Sequence, residues 1–591
     1  MLSKKQSEIL KVATENARRG LIHLHEIPTG FGKSTYLLPY SAAELSKDKK
    51  VIISTFTNSL ADKLFLNFKE KFPHLNCGIV IGAENYLDLN KIDEEFYTYF
   101  TFPDKVIEYI KTLNKNITFE ELFRDCLLND DDKLIVSDLY HADNRKDLDD
   151  VSEYDISITN HVFLLLLRYN QSIDLSQYYI LADEVDKMSD AQKLISISSF
   201  SISRFKTSLK KIISKSKIDK ATKKYLGKIY KESSILLKKY KDEDKIDAYI
   251  TEKKFFRDYL DDLSDFVSSR KKLTKIVKEL KGDKYAKIFL KEYDELNTII
   301  NSEGNISLYY SPAKGYPTVH FQRQNVQLGL YNFFKSLSGF IGVSGTLFNV
   351  PIVKDNKEFR RVKDTSKNMN DYIIDKLGFA GLRDKVEIKN EERIFPIDGI
   401  KIKIDIIKKN KNNTDDETPD TEWIQKLAIY IKNTFENKNS LVILGSYAEV
   451  KALYLELAKL LPNTNIIKAD YTMTQAQTIN KFKSEGGILI GTRSYATGID
   501  LPGKELEKLY IVKLLFPPIN DKDMQDKKAF NTGYYWKTVY NDMLFITRQS
   551  LGRLQRRPDD KGDIYILDER VNDEKIKDKL ERIFKSVGKL I

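Results

Sequence analysis

Ile27-Pro28-Thr29-Gly30-Phe31-Gly32-Lys33-Ser34-Thr35 is the stretch from which the rest of the chain can be read. Before it, Leu21-Ile22-His23-Leu24-His25 alternates with the period of a short strand, and after it Tyr36-Leu37-Leu38 suits a first helical turn. Strand, glycine loop and helix in that order make a phosphate cradle. Glycines at 30 and 32 let successive backbone N–H groups converge on an anion, and the helix start adds its positive dipole. Lys33 supplies a point charge and Ser34 a hydroxyl for Mg²⁺, with Thr29 and Thr35 on either side of the turn. The full pattern would place Gly where Ile27 stands. The bland alternative is a glycine turn with a solvated lysine.

A chain of 591 residues is too long for one core and implies several domains. Lys+Arg 97 against Asp+Glu 86 leaves a formal charge of +11, which fits a polyanionic partner and fits equally a solvated lysine-rich surface. Cys77 and Cys126 are the only cysteines, so a disulfide framework and four-cysteine zinc or iron–sulfur sites are excluded. Met1-Leu2-Ser3-Lys4-Lys5-Gln6 has no apolar signal core, and Val162–Leu167 is far too short to span a bilayer. The expectation is a soluble, cytoplasmic protein with no membrane partner.

Gln6 lies on a helical stretch from Ser3 to Arg18 and reads either as an adenine contact or as a surface side chain. The apolar run Val51-Ile52-Ile53-Ser54-Thr55-Phe56-Thr57 ends in hydroxyls. Thr55 and Thr57 either touch a nucleic-acid backbone at the carboxyl end of a strand or cap the helix from Asn58 to Lys69. From Asp88 to Asp150 the texture turns acidic and aromatic, as an inserted module would. Asp155 to His161 restores a strand with a polar end; Asn160 and His161 are candidate nucleic-acid contacts, although a lone histidine here is more often structural.

Tyr179-Ile180-Leu181-Ala182-Asp183-Glu184-Val185-Asp186 is the expected partner of the cradle: a strand ending in Asp183, to hold Mg²⁺ through water, and Glu184, to polarise an attacking water. From about Ala191 to Tyr309 a lysine-dense helical periodicity reads as an insertion, its lysines lining a strand channel or simply solvated. Phe340 to Leu347 closes this half as a strand and turn. A second α/β pattern follows, with strands at Leu441–Leu444, Gly487–Ile490, Leu509–Val512 and Ile564–Leu567. Before the last of these, Arg548-Gln549-Ser550-Leu551-Gly552-Arg553-Leu554-Gln555-Arg556 puts Arg553 and Arg556 on one side of a helical turn, where both reach across a cleft to a γ-phosphate beside Gln549. The loop from Gly491 to Gly503, with Arg493, Gly498 and Asp500, suits nucleotide sensing or a strand-backbone contact, and also a plain structural loop. Ser446 and Tyr447 are the matching strand-gripping candidates after the first strand of this half.

Together these strings resemble superfamily-two helicases of the DinG/XPD branch. The specific marks, in the family's order, are Ser54-Thr55-Phe56-Thr57, Asn85-Tyr86-Leu87, Ile158-Thr159-Asn160-His161, Asp183-Glu184-Val185-Asp186, Ser344-Gly345-Thr346-Leu347, Gly498-Ile499-Asp500-Leu501-Pro502-Gly503, Lys513-Leu514-Leu515-Phe516-Pro517 and Gln549 to Arg556. The shortened cradle after Pro28 is also typical of helicase ATPases. The resemblance implies an α/β fold of two RecA-like lobes with two insertions in the first. The first lobe would occupy 1–88, 151–190 and 321–350, a vestigial iron–sulfur-type module 89–150, a helical arch 191–320 and the second lobe 351–591. It implies ATP and Mg²⁺ as cofactors, single-stranded DNA as partner, and ATP-driven movement, usually 5′ to 3′.

Three departures stand out. Asp88 occupies the place of the first cluster cysteine, so no iron–sulfur cluster is expected; Asp186 replaces a histidine that usually bridges to the other lobe; Thr497 stands where Glu is common. Cluster-free DinG-like helicases occur beside type IV CRISPR systems, where they act on DNA opened by a guide-RNA complex, and this chain looks like that kind. A repair or replication helicase outside CRISPR is the alternative. No histidine is followed directly by Asp, so a fused HD-type nuclease is not expected. A DNA-stimulated ATPase that clamps without unwinding remains a separate reading.

Overall fold

The computed structural model describes residues 3–28, 30–82, 151–169, 173–240, 258–259, 261–262, 271–280, 286–301, 306–310, 317–322, 325–350, 371–391, 397–409, 419–469, 475–496, 501–517, 524, 528, 531–554 and 560–591. Strands that are apolar on both faces and separated by helix-length segments can pair only in parallel, with helices crossing over them. The chain does this twice. In order it forms β1 (Ile22–Glu26), β2 (Lys50–Thr55), β3 (Cys77–Ile79), β4 (Ile156–Asn160) and β5 (Tyr178–Asp183), then β6 (Ile197–Ser201), β7 (Ile306–Tyr310) and β8 (Pro317–Gln322), then β9 (Phe340–Ser344) and β10 (Val386–Asn390). The second half adds β11 (Ile400–Ile404), β12 (Ser440–Ile443), β13 (Ile466–Lys468), β14 (Ile488–Gly491), β15 (Lys508–Ile511), β16 (Gly562–Ile566) and β17 (Lys589–Leu590).

The first lobe is a parallel sheet of order β10-β1-β9-β5-β2-β4-β3, and the second a parallel sheet of order β13-β14-β12-β15-β16-β11-β17. In the first, Glu26 is in register with Ser344, Val343 with Asp183, and Thr55 with Asn160, so the strand ends form one row at the carboxyl edge. Ligands meet open α/β sheets at that edge. Ile9, Ala13 and Ala17 of the helix Lys4–Arg18 are buried in the core of this lobe, and the helix is fixed at its start by a Ser3–Gln6 capping box. Gly339 lets it close in, because a Cβ there would stand 2.2 Å from the Ala17 carbonyl oxygen.

Two boundaries differ from the sequence reading. β10 lies beyond residue 350, in the stretch assigned to the second lobe, yet it pairs with β1 and completes the first sheet. The lysine-dense insertion is not purely helical: Lys193–Gly329 together with Pro518–Tyr535 forms a separate compact unit that includes the antiparallel sheet β6-β8-β7. Its helices, among them Ile202–Lys215 and Lys220–Tyr240, bury Phe205, Leu209, Leu226 and Ile229 against Phe289 and Val319. A buried carboxylate, Glu292, ties the Ser201 backbone N–H (3.0 Å) to Arg204 (2.7 Å) inside that unit. The segment 89–150, read as a vestigial cluster module, lies outside the described residues. No helix among the described residues is long and apolar enough to cross a membrane.

His23 and His25 share one face of β1 and both are buried. Asn16 Nδ2 donates to Glu387 (2.8 Å) and sits 2.9 Å from His23 Nδ1; His23 Nε2 is 3.3 Å from His25 Nδ1, and His25 Nε2 is 2.9 Å from Glu391. One assignment satisfies the whole chain: both rings neutral, each protonated on Nε2. Burial accordingly holds the His23 pKa well below its ordinary value, helped by His25 and Lys389. His161, which starts the helix after β4, is also fully buried, and burial takes its pKa down to about 4 against the raising pull of the Glu184 and Asp183 backbone. In the unfolded chain both rings titrate near about 6.5. The unfolded state therefore binds protons that the folded state refuses, so stability is complete above about pH 6.5 and falls as the pH drops towards about 4. His161 alone accounts for up to about 3 kcal/mol of that loss. Denaturant titrations between about pH 7.5 and 5 should show it, with a shallower pH dependence in His161→Gln.

Candidate functional site

The cradle is built as the sequence requires. Gly30 (φ 82°) and Gly32 (φ 85°) take left-handed backbone conformations open to glycine at no steric cost. The Gly32 carbonyl then accepts N–H groups from both Tyr36 (2.8 Å) and Leu37 (3.1 Å), so the helix begins as one wide π-type turn, Lys33–Leu37, before the α-helix Leu38–Leu45. Such turns recur at functional sites. Asn67 supports it from the next helix, donating to the Ser34 and Thr35 carbonyls, each at 3.1 Å. Lys33 is buried, its Nζ donating to the Ile27 carbonyl (3.1 Å) opposite Gly345, where a Cβ would stand 3.6 Å from it. Thr35 is exposed. Gln6 has both ends of its amide engaged, accepting from the Ser3 N–H (2.8 Å) and donating to the Phe31 carbonyl (2.8 Å), which ties the first helix to the cradle.

Opposite stands a cluster of carboxylates at the end of β5. Asp183 accepts the Ser34 hydroxyl and the Glu184 N–H (3.0 Å). Burial raises the Asp183 pKa, with Lys33 and the Ser34 hydroxyl pulling it down. Burial and repulsion from Asp186 raise Glu184 likewise; Lys33 and, from the other lobe, Arg553 pull it down. Glu184 sits at φ 48°, ψ 51°, a left-handed conformation that a non-glycine residue holds only under constraint. Asp186 is fully buried and accepts from two directions: Ser344 Oγ at 2.5 Å and Gln549 Nε2 at 3.1 Å.

Gln549 comes from the helix Thr532–Leu551 of the second lobe. The same helix meets the first lobe through Asn541, which accepts from Asn349 (2.8 Å), and Asp542, which accepts from the Tyr372 hydroxyl (2.6 Å). Gln549 gives its amide nitrogen to Asp186, and its Oε1 is buried with no hydrogen-bond partner among the described residues. Arg553 follows in the turn Gly552–Leu554. Asp186 thus bridges the lobes as an acceptor, taking donors from Ser344 and Gln549.

The donor set fits a Mg²⁺–nucleotide. Lys33, two left-handed glycines and a hydroxyl already aimed at a buried carboxylate whose ionisation is penalised are what a phosphate with its cation would satisfy. No group of three metal-ligating side chains occurs among the described residues, and a Mg²⁺ that keeps most of its waters needs none. Thr29, Gly498, Asp500 and Arg556 lie outside the described residues, as does Thr497.

Of the proposed nucleic-acid contacts, two are corrected. His161 is buried with Nδ1 2.9 Å from Ser54 Oγ, so it ties the start of the helix after β4 to β2 and exposes no surface to a ligand. Thr55 is also buried, its hydroxyl donating to the Thr57 carbonyl (2.8 Å). Thr57 is exposed and caps the helix Asn58–Lys71. Asn160 caps the helix His161–Leu167 and donates to Asn58 (2.5 Å), while Ser446 caps the helix that begins at Tyr447. Ser446, Tyr447 and Arg493 are partly exposed. Asn67 was not foreseen from the sequence; nothing but its place on the helix after β2 points to it.

A helicase C-terminal domain model matches residues 431–587. Among curated proteins, the one named Probable ATP-dependent helicase MJ0942 of Methanocaldococcus jannaschii is 27% identical over 210 residues, 32% of each chain. The 3′-5′ exonuclease DinG of Bacillus subtilis is 29% identical over 165 residues, 26% of this chain and 18% of that one. The ATP-dependent DNA helicase DinG of Escherichia coli K12 is 25% identical over 159 residues, 25% of this chain and 22% of that one. The chain therefore spans between 18% and 32% of the length of these relatives. Among solved structures, an XPD helicase aligns over 100% of this chain and 99% of that one at 16% identity with a TM-score of 0.63. Xpd4 of S. tokodaii aligns over 100% of both chains at 15% identity with a TM-score of 0.54. At that identity the likeness is one of fold.

Ionising Glu184 in the folded protein is penalised by burial and by Asp186, so its folded pKa is raised and stability falls as the pH rises through it. Glu184→Gln removes that penalty at neutral pH. It should raise the thermal midpoint, by about 1 kcal/mol in stability. Scanning calorimetry of the variant beside the parent chain at neutral pH checks it.

Proposed function

We infer that this chain, DinG/XPD-like in fold and in the order of its motifs, is an ATP-driven motor that moves along and unwinds DNA. The observation that carries the reading is the hydrogen bond from Gln549 of the second lobe to Asp186 of the first, beside which the charge of Arg553 acts on Glu184. A site completed by two lobes is one whose occupancy changes how they hold each other. Mg²⁺, held by Ser34 and through water by Asp183, would neutralise charge on the transferring phosphate. Lys33 exchanges the Ile27 carbonyl for a phosphate oxygen, Glu184 orients and deprotonates the attacking water, and Arg553 with Arg556 meets the charge that develops. Release of these contacts loosens the lobes. Thr57 in the first lobe and Ser446, Tyr447 and Arg493 in the second then alternate their hold on a single strand.

The direction proposed is 5′ to 3′, carried by the family resemblance. The same resemblance, with Asp88 in place of a cluster cysteine, supports a motor without an iron–sulfur cluster that works on DNA opened by a guide-RNA effector complex. Fork unwinding with ATP and Mg²⁺ tests the reading. Unwinding from a 5′ overhang and not from a 3′ overhang, lost in Glu184→Gln, is expected. DNA-stimulated hydrolysis without strand separation on either fork, and also on a strand already opened by a guide RNA, would replace the motor with a clamp.

A further inference from the structure

Glu26 is the last residue of β1, one residue before the cradle begins, and its side chain is buried. Four hydrogen bonds converge on its carboxylate. Oε2 accepts the backbone N–H groups of Leu347 (2.6 Å) and Phe348 (2.9 Å) and Nη1 of Arg548 (3.0 Å); Oε1 accepts Nη2 of Arg548 (2.6 Å). Arg548 Nη1 also donates to the Phe348 carbonyl (2.8 Å). The two side chains therefore grip the loop after β9 between them, and the ion pair joins the first lobe to the second.

We propose that the Glu26–Arg548 pair is the joint that aims Gln549 and Arg553 at the first lobe's carboxylates, and so sets the rate of hydrolysis without touching nucleotide. This rests on the nucleotide site proposed above. On one side, Glu26 cannot shift alone: its backbone is in register with Ser344 and Asn390, and its carbonyl accepts the Glu391 N–H (2.9 Å). On the other, Arg548 immediately precedes Gln549 on one helix, and Arg553 follows in the next turn. Two parallel N–H···O bonds fix the plane of a guanidinium as well as its position, which a single charge contact would not. The roll of the helix about its axis is thereby set, and adjacent residues are separated by about 100° of that roll. A slip at Arg548 would swing the Gln549 amide away from Asp186.

Packing alone would not call for such a pair. Two buried charges lose hydration, and neutral side chains of similar volume usually stabilise a core as well or better. What an ion pair of this geometry adds is orientation. Glu26 and Arg548 are accordingly positioning residues, and their effect should fall on turnover more than on nucleotide affinity.

The test measures kcat, KM for ATP, affinity for a fluorescent ATP analogue and thermal midpoint in the full chain, for Arg548→Lys, Glu26→Gln, Arg548→Met and the double variant Glu26→Gln/Arg548→Met. Arg548→Lys keeps the charge and loses the fork, and the double variant leaves no unpaired buried charge, so at least one of them should fold well. The expected result is a kcat lowered about tenfold or more with analogue affinity within about twofold, and a double variant no slower than the slower single. A folded Arg548→Lys and a folded double variant with wild-type kcat would overturn the joint, as would losses that multiply in the double variant. Lys33→Ala is run alongside. If it hydrolyses ATP normally, the nucleotide site itself is wrong; if it is inactive while the joint variants turn over normally, only the joint is.

Discussion

Three carboxylates, Asp183, Glu184 and Asp186, crowd the buried end of one strand, and the surroundings of the site follow from the need to compensate them. Water cannot solvate them all: Asp186 raises the cost of ionising Asp183 and Glu184, and Asp183 adds to the cost at Glu184. The protein answers with Lys33 from the cradle, hydroxyls from Ser34 and Ser344, and an amide and a guanidinium from the other lobe. None of these can be supplied by β5 itself. Compensation therefore forces the convergence of the cradle, the strand between it and β5, and the helix Thr532–Leu551. The left-handed backbone at Glu184 belongs to the same account, since it holds a carboxylate where burial and Asp186 oppose its charge.

How much of this could be read beforehand depended on whether a residue's role was local. The cradle, the Asp183-Glu184 strand end and the Gln549–Arg553 string are local patterns with one sensible geometry, and the parallel lobes follow from apolar runs at crossover spacing. Burial at strand ends is not local. Thr55 and His161 look like exposed polar termini in sequence, and both face inward: Thr55 closes on the Thr57 carbonyl, and His161, the first residue of its helix, turns towards Ser54 of β2. Val386-Glu387-Ile388-Lys389-Asn390 alternates like a strand, yet nothing nearby says that its partner is β1, more than three hundred residues earlier. The β6-β8-β7 sheet was hidden for a related reason: its strands are short, distant and embedded among lysine-rich helices whose periodicity dominates.

Residue 186 shows how a departure from a family pattern can preserve an arrangement while changing its chemistry. A histidine in this place offers one donor and one acceptor; a carboxylate offers only acceptors. With Ser344 and Gln549 both donating, the amide nitrogen of Gln549 is committed to Asp186 and its carbonyl oxygen is left buried without a partner among the described residues. The bridge between the lobes thus runs from an amide donor to a carboxylate.

The order of strands also constrains how the chain can be made. β9 lies between β1 and β5, and β10 flanks β1 on the other side. During synthesis β1 emerges early, then β2 to β5, but β1 has no neighbour in the sheet until residues 340–344 exist and no second one until 386–390 do. The larger part of the separate unit, Lys193–Gly329, is made before either appears, while its Pro518–Tyr535 part follows both. The strand that leads into the cradle must therefore wait, unpaired, until more than half of the chain is synthesised, and folding of the cradle is a late event governed by contacts of very long range.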